Sequence, residues 1–271
     1  MAVARLGSFS AAAAELGYTQ AAVSQQIAAL ENDLKTQLLN RRPVTPTETG
    51  ARLLEHAEPI LLRLDAARTD VTRMTKTPSA TLLIGVTPLA GATSALATAL
   101  TGLRSQMPRL AVTIQAGTRA ETAIAVARGE LDLALTEGLT APGDPLPEQA
   151  PITATGLSEE PVRIVLPTGH PLASRSSLRL TDLADARWLD ADNVAPPLQE
   201  IRRHAATDGF RPTLRYTGQG LTLLPESVLS DQDITSVRVA HPRLSHRMEL
   251  IHTALPKRSP ATALAAILSA R

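Results

Sequence analysis

The sequence predicts a multidomain chain: a small all-α N-terminal domain, a long helix, and a larger α/β module. Three observations carry this prediction. Two short capped helices stand only three residues apart before residue 35, apolar residues recur at steps of four and three from Leu53 to Met74, and apolar strands then alternate with helices to the end.

Each element follows from local signals. Ser10 is suited to cap a helix over Ala11–Leu16, which Gly17 closes in a left-handed turn. Thr19 caps the next helix, from Gln20 to about Leu34. Ala13, Leu16, Val23, Ile27 and Leu30 are expected to form the core of this domain. Residues 41–47 carry two prolines and two threonines and read as a loop or a small wing.

A long helix is expected over Thr49–Lys76, with Leu53, Ala57, Ile60, Leu64, Ala67, Val71 and Met74 along one seam. Such a stripe suits a dimerising linker, the reading favoured because nothing nearby offers it a partner, over an amphipathic helix packed on its own domain. Pro59 is expected to kink it or to mark a joint. Thr77-Pro78-Ser79 then serves as a hinge.

Beyond the hinge, strands are expected at Leu82–Val86, Leu110–Gln115 and Leu131–Leu135, with helices at Ala90–Gln106 and Glu121–Arg128 between them. That order implies a parallel sheet with right-handed crossovers. After the Pro- and Gly-rich loop Thr140–Ala150, a second α/β set follows. It comprises strand Val162–Pro167, strand Trp188–Asp190, a helix near Leu198–Thr207, strands at Leu214–Tyr216, Ser236–Val239 and Glu249–Leu255, and a final helix at Pro260–Ala270. The domain divisions expected are 1–50, 51–78 and 79–271, the last split into 79–161 plus 256–271 and 162–255.

Composition narrows the function classes. The 271 residues include no cysteine, which excludes disulfides, thiolate metal sites and thiol nucleophiles. No apolar run reaches the ~18 residues of a membrane span, and Arg5 interrupts the short apolar N-terminal stretch, so a cytoplasmic location is expected. Net charge is +1, and residues 1–52 hold five basic against four acidic residues. Bulk electrostatics therefore gives a nucleic-acid reading little help, and pattern must carry it.

The pattern is specific. Residues 7–13 (GSFSAAA), Leu16, residues 19–27 (TQAAVSQQI), Leu30-Glu31, residues 38–42 (LLNRR), residues 46–50 (PTETG) and Leu53-Leu54 resemble, in order, the LysR-type transcriptional regulators. Ile84-Gly85-Val86, residues 129–133 (GELDL) and His170-Pro171-Leu172 extend the resemblance over nearly the whole chain. It implies a winged helix-turn-helix, a long linker helix that dimerises, and two Rossmann-like (periplasmic-binding-protein-like) subdomains holding a small-molecule inducer between them. It also implies a homodimer, or a tetramer built from dimers.

Four features depart from the family pattern. The chain begins inside the expected first helix, the wing Pro43-Val44-Thr45 is short and lacks a basic residue before Pro46, and Gln25 stands where arginine is common. A helix-sized stretch also looks to be missing between Gly218 and Leu221. These departures bear on wing contacts and on one side of the inducer pocket.

A recognition helix places its first turns in the major groove, where each base pair offers a distinct set of donors and acceptors. Gln20 can bond adenine through both amide atoms, Ala21 can meet a thymine methyl, and Ser24 and Gln25 follow one turn later. Ser10 and Thr19 can present hydroxyl and N–H groups to phosphates, with Arg41, Arg42 and Thr47 as backbone clamps. The same residues also fit the polar faces and caps of a small helical domain. Ligands of open parallel sheets sit at the carboxyl ends of the strands. Thr87, Thr118, Arg119, Thr136 and Asn193 occupy such positions, where hydroxyls, helix N-termini and one guanidinium suit an anionic effector. Thr87 and Thr118 also fit simple helix caps.

An enzyme is not expected. His56, His170, His204, His241, His246 and His252 form no metal-binding spacing, and there is no phosphate loop, no nucleophile elbow and no cofactor motif. The alternative is a solute-binding module whose N-terminal helices only assemble subunits and have no DNA role.

Overall fold

The computed structural model describes residues 1–76, 81–148, 150, 152–167, 169–183, 186–189, 198–205, 215–216, 220–229 and 235–270. They form two compact units, Met1–Asp65 and Ala66–Arg271.

The first unit starts with helices α1 (Ala2–Leu6), α2 (Phe9–Leu16) and α3 (Gln20–Asp33). Strands β1 (Leu39–Arg41) and β2 (Val44–Pro46) follow as an antiparallel hairpin, so residues 41–47 are a wing. Gly17 takes φ 70° and lets α2 stop abruptly, which only a residue without Cβ does cheaply. Thr19 accepts the Ala22 N–H at 3.2 Å and starts α3 as the sequence predicts. The cap of α2 is Ser8, not Ser10: Ser8 has the extended backbone a cap needs, and its hydroxyl accepts the Ala11 N–H. Ser10 lies inside the helix, exposed.

Val3, Ala12, Ala13, Val23 and Leu39 make the core, with Phe9, Ile27 and Val44 packed against it. Leu16 and Leu30, expected in that core, are 50% and 44% exposed. Each lines an apolar groove beside α1.

Helix α4 (Glu48–Lys76) runs 29 residues and continues through Pro59. Its start is fixed by a close approach: a Cβ on Gly50 would lie 2.0 Å from the Leu38 carbonyl oxygen. Leu53 and Ala57 are half-buried, whereas Ile60, Leu64 and Val71 of the same stripe are exposed. The Met74 side chain and the hinge 77–79 lie outside the described residues.

In the second unit, β3 (Thr81–Val86), α5 (Pro88–Gly91), α6 (Ser94–Gln106), β4 (Ala111–Ala116), α7 (Arg119–Ala127) and β5 (Leu133–Thr140) alternate as predicted. The expected single helix Ala90–Gln106 is two, because Thr93 is extended and its hydroxyl donates to the Ala90 carbonyl. The chain continues through β6 (Thr153–Val165), β7 (Ser177–Arg179), a 3-10 turn (Leu180–Leu183), β8 (Trp188–Leu189), α8 (Leu198–Ala205), β9 (Arg215–Tyr216), β10 (Thr222–Pro225), α9 (Glu226–Leu229), β11 (Ser236–His241), β12 (Ser245–His252) and α10 (Pro260–Ser269).

Eight strands share one sheet in the order β4-β3-β5-β12-β6-β11-β7, with β10 also paired to β6. The predicted parallel sheet holds for β3, β4 and β5, but β12 joins antiparallel between β5 and β6. Strand β6 is the surprise: the sequence predicts only Val162–Pro167, yet it begins at Thr153. Of its first nine residues all but Leu157 are polar or exposed, with Pro161 among them, and they carry little strand signal of their own. Their pairing with β12 holds them extended, while Val162–Val165 pair with β10 and β11. One strand thus serves two lobes. One core gathers Leu82, Ile84, Leu103, Leu133 and Leu264, and the other surrounds Trp188 with Ile164, Leu180 and Leu223. The region 217–219, where a helix looked to be missing, lies outside the described residues.

Candidate nucleic-acid interface and ligand site

The first two turns of α3 are anchored by Val23, which is buried, and by half-buried Ile27. That anchoring leaves Gln20, Ala21 and Gln25 exposed and Ser24 half-buried. The side chains expected to meet bases therefore face solvent from a fixed helix. At the phosphate positions the candidates divide. Thr47 donates its hydroxyl to the Gln37 carbonyl and accepts the Gly50 N–H, so it caps α4. Arg41 pairs with Glu31 at 3.1 Å and lies over the Phe9 ring. Arg42, at the wing tip, is exposed and has no partner among the described residues.

Glu31 is a residue the sequence reading did not single out. Burial works against its charge, but hydrogen bonds from the Leu38 and Leu39 amides and the Arg41 guanidinium outweigh that and hold the carboxyl below its ordinary value. It fastens the wing to the end of α3.

In the second unit, Thr87 ends β3 and Thr136 sits on β5, both buried. The Thr87 hydroxyl is engaged by Glu137, whose carboxylate also accepts the Ala90 N–H at the start of α5 at 2.6 Å. The seat expected for an anionic ligand is thus taken by a carboxylate of the chain itself. Burial pushes the Glu137 carboxyl up, against the bonds from Thr87 and the Ala90 and Leu89 amides. From α8, Glu200 accepts the Leu139 N–H at 2.8 Å. Burial pushes its carboxyl up too, with repulsion from Glu137 added and attraction to Arg119 and Arg203 opposing.

Arg119 is half-buried and donates to the Pro147 carbonyl. Burial pulls its guanidinium below the ordinary value while Glu200 and Glu249 draw it back up. Glu249 lies across from Thr136 in the β5–β12 register and is held by Arg247 and the Leu146 N–H. The Thr136 hydroxyl is buried with no hydrogen-bond partner among the described residues.

The fold therefore links Thr87, Arg119 and Thr136 through Glu137, Glu200 and Glu249. Thr118 is exposed and forms a capping box with Glu121, which makes it a helix cap. Asn193 lies outside the described residues. The three glutamates were missed, although Glu137 directly follows Thr136, which the sequence placed just past a strand ending at Leu135 and which the structure places inside β5. Among the described residues no group of histidine and acidic side chains is placed to hold a metal, and no helix is long and apolar enough to cross a membrane.

Comparison with known proteins bears on both units. Residues 1–51 match the family model for the bacterial regulatory helix-turn-helix protein, lysR family, and residues 75–268 match the LysR substrate binding domain. The chain is 32% identical over 93% of its length, and 85% of the relative's, to the "Probable hydrogen peroxide-inducible genes activator" of Mycobacterium avium. It is 30% identical over 69% of its length to the "Probable RuBisCO transcriptional regulator" of Emiliania huxleyi, spanning 59% of that protein. Full-length BenM shares the fold at a TM-score of 0.56 and 22% identity, with 98% of this chain and 92% of that one covered.

Proposed function

The chain belongs to the LysR family of bacterial helix-turn-helix regulators, and from that premise we propose an inducer-controlled regulator that reads a pseudo-palindromic operator through α3. The observation that carries this reading is the exposed set Gln20, Ala21 and Gln25 on a helix whose opposite face is locked by Val23. Arg42 is the phosphate contact we favour in the wing. The exposed Ile60, Leu64 and Val71 on α4 support pairing of two copies along that helix.

The inducer is assigned to the stretch of β5 where Thr87 and Glu137 meet on one face and Thr136 leaves the other, with Glu200 and Arg119 beside it. Two half-buried carboxylates, and one buried hydroxyl without a partner among the described residues, favour a ligand that offers N–H or O–H donors there. The M. avium relative is named for hydrogen peroxide. Peroxide sensing through a thiol needs a cysteine, and these 271 residues contain none, so a non-covalent ligand is the reading adopted.

Selection of bound duplexes from a random DNA pool, with and without a metabolite panel, tests the proposal. Enrichment of a two-fold symmetric sequence is expected, altered by one class of metabolite. A folded protein that enriches nothing at moderate salt would instead favour the solute-binding module.

A further inference from the structure

A groove on the lobe built around Trp188 is lined by none of the residues assigned to the inducer. The register of β11 on β6 sets Arg238 directly opposite Arg163. Val162, Ile164 and Val237 point into the core, so alternation sends both arginines to the other face. Like charges directly opposite in a sheet repel and call for a counter-charge. Arg163 has part of one: its guanidinium is tied to Glu226 at 3.2 Å and to the Ser236 hydroxyl at 2.9 Å. Arg238 has none among the described residues, and neither has Arg243 in the turn before β12.

All three arginines and Glu226 line one groove of about 510 Å³, whose walls include Pro142, Val162 and Leu244. Among the described residues, three guanidinium groups face one carboxylate there, an excess of positive charge. Arg163 is held in place by its own bonds, while Arg238 and Arg243 donate to no described residue. We propose that this groove binds a small oxyanion, a phosphate- or carboxylate-bearing metabolite, through Arg238 and Arg243, with Arg163 as the fixed positive floor. Planar guanidinium forks suit both oxyanion types through paired hydrogen bonds.

Calorimetric titration of the full chain in low-chloride buffer tests this, with inorganic phosphate in one arm and succinate in the other. Saturable binding of at least one anion is expected, weakened tenfold or more in the double variant Arg238→Gln/Arg243→Gln. Arg104→Gln, on the exposed face of α6, should bind like the parent. Thermal melts of each variant, read by circular dichroism, separate loss of binding from loss of fold. No saturable binding of either anion to the parent chain overturns the proposal, even if the double variant loses affinity for DNA. Equal binding by a folded double variant overturns it too. Operator selection is read separately, so this groove can fail while the regulator reading stands.

Discussion

Glu31 on α3 and Arg41 on β1 meet at 3.1 Å, and the same carboxylate accepts the backbone N–H groups of Leu38 and Leu39. One mostly buried side chain thus sets the wing against the recognition helix. Glu31→Ala strips two amides of their acceptor, at a cost of about 1–3 kcal/mol for such groups. Chemical denaturation followed at Tyr18 or by circular dichroism should show the first unit destabilised by that order. Because the folded carboxyl is held below its ordinary value of 4.5, its contribution is present above that pH and fades as pH falls through the folded value. The acid limb of the stability profile should therefore flatten in Glu31→Ala. Unchanged stability at neutral pH would remove Glu31 from this role.

Arg42 and Arg41 are adjacent but should behave differently on DNA. Arg42 has no partner among the described residues, so Arg42→Ala should weaken binding to every duplex and reduce the slope of log K against log salt by about 1. Arg41→Ala should give a smaller salt effect, since that charge is already matched by Glu31. Identical salt slopes for the two variants would contradict this assignment.

Gln20→Ala should cost ~1–3 kcal/mol on the selected operator and little on random DNA. Competition gel shifts with both duplexes measure the difference. An equal loss on both would reassign Gln20 from base contact to backbone contact.

His246 gives a pH signature in the second unit. It is buried on β12 with its Nε2 unpartnered among the described residues, and burial pulls the imidazole below its ordinary value of 6.5 despite attraction to Glu160. The unfolded chain takes up a proton as pH falls below about 6.5 while the folded one does not. Stability contributed by the neutral ring is thus present above that pH and lost from there down to the folded value. Tm measured between pH 7.5 and 5.5 should fall more steeply in the parent than in His246→Gln, and parallel curves would exclude the effect.

The local parts of the first unit were legible because their signals act over a few residues. Thr19 caps and Gly17 ends a helix wherever the neighbouring backbone allows it. Even there, the choice between Ser8 and Ser10 depended on which residue turned extended. Leu16 and Leu30 have the spacing of core residues, yet in the fold they line grooves beside α1 and stay exposed.

In the second unit the parallel character of β3, β4 and β5 was readable, whereas the first half of β6 was not, since its extended form is imposed by β12 from some ninety residues away. Thr87 follows β3 and Arg119 opens α7 after β4, where the sequence put strand ends, whereas Thr136 falls inside β5, which runs on to Thr140; the partners of all three were undecidable from their own surroundings. The order of residues determined where helices cap, where strands alternate and which faces are polar, because those preferences are settled within a turn or two of chain. Only the folded sheet decided that Glu137 would occupy the hydroxyl of Thr87, fifty residues earlier, and that Arg238 would stand opposite Arg163. Contacts of that kind exist only once distant strands are in register, and register is a property of the whole core.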